Sequence, residues 1–278
     1  MKSEALLLVE NVRDPALKLN LLREYLQAFI LRSLHESNAF DCLSFVGGTA
    51  LRFLHGLPRF SEDLDFSLEQ QQGYKIGLWL EKVKRDLSFA GFQVEVPPVN
   101  DRKTVQVAWV RTAELLQEAG LAALPQQKLS IKLEIDTRPP VGAALETTLV
   151  NRQFLAAPPG SVSVNRGLMF ALRHHDLPSL LAGKIHAMST REYLKGRDWY
   201  DLVWFRTLQT PRLEPNYVLL KNALQQTGAN WSAEHWKEQV REKLDALDLK
   251  ALRSDVAPFL ERQADAELLT KESIQKFL

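Results

Sequence analysis

The chain has 278 residues, 45% of them hydrophobic and 25% charged, which is enough to bury a sizeable core and to form one large domain or two. Lys plus Arg number 35 against 34 for Asp plus Glu, and the net charge of +1 excludes a global field for attracting nucleic acid, so any RNA or DNA contact needs a local patch. A single cysteine, Cys42, excludes an internal disulfide framework and a cysteine-built zinc site. No apolar run approaches a membrane span, and "MKSEALLLVE" turns acidic too early for a secretory signal, so a soluble, cytoplasmic protein with no membrane contact is expected.

From Pro15 to Glu36 apolar residues recur at helical spacing and predict a strong amphipathic helix. "CLSFVGG" follows as a short buried strand closed by glycine, and "TALRFLHG" as a helix stopping at Gly56. "DLDFSL" alternates as a strand with one wet face, and a second amphipathic helix runs from Tyr74 to about Phe89. Strand signals dominate between Phe92 and Val150, in "FQVEV", "TVQVAWV", "KLSIKLEID" and "ETTLV". "FLAAPPGSVSVNRG", near residues 155 to 168, marks the boundary, and from Leu177 the pattern is helical almost to the end. An α/β domain over residues 1–165 and an all-α domain over 166–278 are expected.

The chemistry gathers in "GGTALRFLHGLPRFSEDLDFSL". Strand side chains alternate, so Asp63 and Asp65 share a face, where two carboxylates repel unless a cation intervenes. Oxygen donors alone indicate a hard ion, Mg²⁺ or Mn²⁺. Upstream, "FVGGT" passes from strand to helix and would aim backbone N–H groups and the Thr49 hydroxyl at an anion. In "KLSIKLEIDTRP", Lys132, Glu134 and Asp136 share the polar face; either acid could be a third metal ligand, and Asp136 is favoured. A lone D-x-D is most often a solvated strand end; the constellation carries the signal.

"VGGTALRFLHGLPRFSEDLDFSL" resembles the nucleotidyltransferase signature, a glycine pair with Ser or Thr followed by D-x-D. More closely, with "RFSEDLDF" and then "LLAGKIHAMSTREYLKGRDWYDLVWF", the chain resembles the AbiEii/AbiGii family of nucleotidyltransferase toxins from type IV toxin–antitoxin systems. The motifs span Gly47 to Leu202. The resemblance implies a nucleotidyltransferase-type mixed sheet flanked by helices, joined to a helical domain, with the active site in the cleft between them. It implies that Gly48 and Thr49, with Gly47 beside them, hold the triphosphate of an NTP co-substrate, that Asp63 and Asp65 hold the metal, and that Lys184 and Asp198 are further functional residues. Where this chain has Thr49, family members more often carry Ser. An RNA acceptor, the tRNA 3′ end foremost, and a cognate antitoxin follow from the same resemblance. Rival readings are transfer to a protein or small-molecule hydroxyl, and a non-catalytic binding module.

Read without the family, Leu177, Leu181, Ile185 and Met188 form one helical stripe, with Lys184 and Arg191 at its edge. Cations there are costly to bury without a phosphate or carboxylate partner, although a snorkelling lysine fits the same pattern. Asp198 could cap the helix that follows, and Asp201, one turn on, could anchor Arg191 or Arg197. Arg52 and Arg59 are candidate helpers on the triphosphate. His174 and His175 are expected at a surface or interface, and Trp199 and Trp204 in the core. From Arg166 to Arg197, six Lys or Arg face two acids, a local excess suited to a polyanion or to a solvated face.

Overall fold

The structure, a computed structural model, describes residues 1–100, 102–154, 167–191, 193 and 195–278. The expected boundary at 165/166, and Arg166 and Glu192 of the basic segment, lie outside the described residues.

The chain opens with α1 (Lys2–Val9) and α2 (Pro15–Glu36), the latter started by Asp14, whose carboxylate accepts from the Ala16 N–H, and by Pro15 in the first turn. There follow β1 (Leu43–Val46), α3 (Gly47–His55), β2 (Leu64–Leu68), α4 (Ile76–Phe89), β3 (Gln93–Glu95), β4 (Val105–Ala113), α5 (Leu115–Glu118) and β5 (Leu129–Asp136). Then come β6 (Leu145–Arg152), β7 (Leu168–His175), α6 (Leu177–Thr190), α7 (Gly196–Thr207), α8 (Tyr217–Thr227), α9 (Trp236–Asp245), α10 (Leu249–Val256) and α11 (Lys271–Phe277). The strands form one mixed sheet in the order β3-β4-β5-β2-β1-β7-β6. β1 runs antiparallel to β2 and parallel to β7, while β2 runs parallel to β5 and β5 antiparallel to β4.

The chain divides into two compact units. The first comprises Met1–His55, Phe60–Arg138 and Thr147–His174; the second comprises Gly56–Arg59, Pro139–Glu146 and His175–Leu278. In the first, Leu64 and Phe66 of β2 and Leu129, Ile131, Leu133 and Ile135 of β5 are buried, as strict alternation requires of a sheet with one apolar face. Phe45 of β1 meets Phe66 with ring centroids 5.4 Å apart, and the α2 residues Leu22, Leu26, Ile30 and Leu34 are buried with them. In the second unit, Leu181 and Ile185 of α6, Leu202 and Phe205 of α7, Leu220 of α8 and Leu252 of α10 are buried. Gly196 opens α7 where a Cβ would overlap the Leu252 carbonyl oxygen; only glycine lets the two helices approach so closely.

β7 was not expected. "LMFALRHH" mixes good helix formers with two histidines, and its strand conformation comes from pairing beside β1, where His174 aligns with Phe45. That pairing corrects the surface reading of the histidines: both are buried, and His174 Nε2 lies 2.9 Å from Thr148 Oγ1. Trp199 is buried as expected, whereas Trp204 is half-buried, edge-on to Phe205.

Truncating Phe45 to Ala should cost about 3–5 kcal/mol of stability, because the ring is fully buried and leaves a cavity. Urea denaturation reads this as a lower midpoint at unchanged slope; a midpoint like that of the parent chain would refute the packing argument.

Candidate active site

Gly47 ends β1 and begins α3 with φ at 77°, the left-handed region that glycine alone enters at little cost. A Cβ at this position would overlap the Asp65 carboxylate, so the absence of a side chain is what allows that carboxylate to lie against the turn. The antiparallel register delivers it there by pairing Asp65 with Val46, the residue before the turn. Thr49 is fully buried and its hydroxyl donates to the Asp63 carbonyl oxygen, tying the first turn of α3 to the chain entering β2. The hydroxyl is therefore directed inward to the backbone rather than outward to an anion. Asp63 and Asp65 are half-buried.

β5 lies on the other side of β2. Its register sets Glu134 abreast of Asp65 and Asp136 abreast of Ser67, so the carboxylate carried beside the D-x-D pair is Glu134. Asp136, favoured from sequence, instead accepts a hydrogen bond from the Arg138 N–H at 2.9 Å, at the end of the strand. Lys132, which has no role in the sequence reading, holds Glu134 at 2.8 Å. Burial pulls the Lys132 pKa down, but Glu134 and then Asp63 and Asp65 outweigh it, so the ammonium is held above its ordinary value. Among the described residues no three His, Cys, Asp or Glu side chains stand ready to hold a metal ion. The donors nonetheless fit a hard divalent ion: they are carboxylate oxygens, their field already attracts a cation, and the glycine turn leaves Asp65 a seat that any side chain would fill.

The second unit carries a separate charged network. Arg59 grips Asp201 with two guanidinium nitrogens, each at 2.6 Å, and the two side chains are 2% and 0% exposed. Lys184, on α6 and 12% exposed, lies 2.6 Å from Asp201 Oδ2, the oxygen that Arg59 Nη2 also holds, and 3.0 Å from Asp198. Arg191, just past the end of α6, pairs with Asp198. Burial alone would raise the Asp201 pKa, but Arg59 and Lys184 hold it below the usual carboxylate range. Burial, assisted by Arg59 and Arg191 against the pull of Asp201, lowers that of Lys184. Lys184 is thus held between two carboxylates, with Arg59 and Arg191 as further cations on the same pair.

Several assignments change with this geometry. Asp198 is an ion-pair partner inside α7 and not its cap, which falls to Lys195. Asp201 anchors Arg59 and Lys184, and Arg191 goes to Asp198 instead. Arg197 stacks on Phe259 at 4.1 Å. Arg52 and Arg59 are buried ion-pair partners of Glu24 and Asp201, so neither stands as a helper for a triphosphate. Gly48 is buried in the first turn of α3, beside Gly47.

Two variants test these arrangements. Gly47→Ala should displace the Asp65 carboxylate and lower any Asp65-dependent activity about 100-fold, more than the melting temperature alone would explain; wild-type activity would refute the close approach. Asp201→Asn should cost about 3–5 kcal/mol by stranding Arg59 and Lys184. Because the folded pKa of Asp201 is depressed, its contribution is present in full above the ordinary carboxylate value of 3.8 and is lost as the pH falls below it. The variant should therefore lose part of the acid-side slope of stability against pH, and an unchanged slope would count against the pairing.

Among curated proteins, none matches this sequence. Two solved structures from Helicobacter pylori are similar to it: a protein described as a nucleotidyltransferase, at 19% identity and TM-score 0.50 over 92% of each chain, and JHP933, at 19% identity and TM-score 0.50 over 93% of this chain and 91% of the other. This likeness shows a nucleotidyltransferase fold. The sequence also matches the family described as "Nucleotidyl transferase AbiEii toxin, Type IV TA system" over residues 29–278. Membership implies a nucleoside triphosphate substrate and an antitoxin counterpart. The chain thus belongs to the AbiEii family of nucleotidyl transferase toxins, and it is a nucleotidyltransferase.

Proposed function

We propose that this enzyme transfers a nucleotide from an NTP to an RNA acceptor, the 3′ end of tRNA foremost, in a metal-dependent reaction. The observation that carries the reading is the seat of the Asp65 carboxylate against the side-chain-free turn at Gly47, with Glu134 abreast of it on the next strand. Asp63, Asp65 and Glu134 would hold Mg²⁺ or Mn²⁺, which when bound neutralises phosphate charge and favours in-line displacement.

The chain's own residues have distinct tasks. Gly47 and Gly48 keep the first turn of α3 narrow, so that its backbone N–H groups can approach a phosphate. Thr49 holds the Asp63 backbone in position. Lys184, paired with Asp198 and Asp201, is the cation that the second unit would offer to a phosphate. Asp198 pairs with both Lys184 and Arg191 and so orients the two cations. Catalysis of this kind is chiefly placement and electrostatics, so small displacements of these groups have large effects on rate. The acceptor comes from the family's toxin character and from the excess of Lys and Arg between Arg173 and Arg197. The cytoplasm supplies both substrates and suits a chain with one cysteine.

Asp65→Asn should reduce nucleotide incorporation at least about 100-fold while leaving the melting transition in place. Labelled NTP incubated with cell lysate, followed by sequencing of tRNA 3′ ends, should put the label in RNA. Label in protein or a small molecule would replace the acceptor, and no Asp65-dependent label anywhere would overturn the enzymatic reading of this site.

A further inference from the structure

Lys132 stands at the acidic site without a part in the chemistry described above. It shares the polar face of β5 with Glu134, 2.8 Å away, and Glu134 is abreast of Asp65. Extending the β2–β5 register by one residue sets Asp63 abreast of Lys132 itself, since Leu64 pairs with Leu133. Three carboxylates and one ammonium thus occupy neighbouring positions on two strands. The Lys132 and Glu134 side chains are 27% and 30% exposed, wet enough for the ammonium to move away at little cost.

We propose that Lys132 is an internal counter-ion that occupies the field of Asp63, Asp65 and Glu134 until a metal–nucleotide complex arrives, so that the resting enzyme binds divalent ions weakly on its own. The inference rests on the metal-dependent reading of the site and adds to it an order of binding. The reason is electrostatic: Lys132 sets a positive charge against the carboxylates that would receive the ion. An incoming divalent ion meets both a weaker attraction and a direct repulsion from the ammonium. A nucleotide triphosphate arriving with the ion changes the balance, because its negative charge gives the ammonium a new partner and removes the repulsion. Lys132 is in this sense a positioning residue, acting on the metal through the carboxylates. An ordinary strand-surface ion pair with Glu134 is the competing explanation, and such a pair contributes little by itself.

The two explanations separate in a measurement that needs no turnover. Mn²⁺ binding to the full chain, followed by electron paramagnetic resonance in the absence of nucleotide, should be about tenfold tighter in Lys132→Met than in the parent. Lys132→Arg, which keeps the charge, should bind as the parent does. Adding a non-hydrolysable NTP analogue should narrow the gap between parent and Lys132→Met. Equal Mn²⁺ affinity in parent and Lys132→Met, with binding still abolished by Asp65→Asn, would overturn the counter-ion role and leave the metal reading standing. Absence of Asp65-dependent Mn²⁺ binding in every variant, with and without the analogue, would overturn both. Should Lys132→Met fail to fold, as judged by its melting transition, Lys132→Gln takes its place, with the same expectation and the same overturning result.

Discussion

A carboxylate oxygen of Asp65 occupies the space that a methyl group on Gly47 would claim, and most of the first unit's arrangement is needed to bring this about. The β1–β2 pairing must hold Asp65 opposite Val46, the turn must take a positive φ, and α3 must leave the strand at once so that its first turn closes over the acids. Buried Phe45 and Phe66 fix that pairing from the opposite face, so the apolar side of the sheet determines where its charged side can work. The bond from Thr49 to the Asp63 carbonyl adds a second tie between the same two segments. A nucleotidyl-transfer site asks for negative charge held close to backbone that can receive more negative charge, and a glycine turn between strand and helix meets both demands.

The second unit treats charge differently. Arg59, Lys184, Arg191, Asp198 and Asp201 come from the 56–59 segment, α6 and its end, and α7, and they satisfy one another largely out of water. Such a network is a poor source of stability compared with apolar packing, because desolvating five charges cancels much of their attraction. Its value lies in orientation: the fork of Arg59 fixes both oxygens of Asp201, and one of these also holds Lys184. Lys184 thus reaches its position through a residue far from it in sequence.

Much of this was legible from residues alone where the signal is local. The helix from Pro15 to Glu36, the strand–turn–helix at "FVGGT" and the alternation of "KLSIKLEID" all appear as read, because each rests on periodicity or on a turn residue with one conformational use. The misses are all questions of pairing. Alternation showed that Lys132, Glu134 and Asp136 share a face, but only the register with β2 selects Glu134 as the neighbour of Asp65. The strand at Leu168–His175 depends on its place beside β1 and not on its own propensity. Arg59 and Asp201 lie 142 positions apart, and no spacing rule links them. The family resemblance supplied what periodicity could not, by singling out Lys184 and Asp198, which the structure joins in an ion pair.

The four residues from Gly56 to Arg59 belong by their contacts to the second unit, although the chain on either side of them belongs to the first. Arg59 bridges to Leu260, and the Pro58 carbonyl accepts from the Glu261 N–H. The covalent connection between the glycine turn and the acids therefore runs through a segment whose packing partners lie about two hundred positions further on. A chain that stopped after β7 would lack Asp201, the carboxylate that the Arg59 fork holds in the segment leading to Asp63. The path of the backbone into the acids is thus set by residues that follow it by well over a hundred positions.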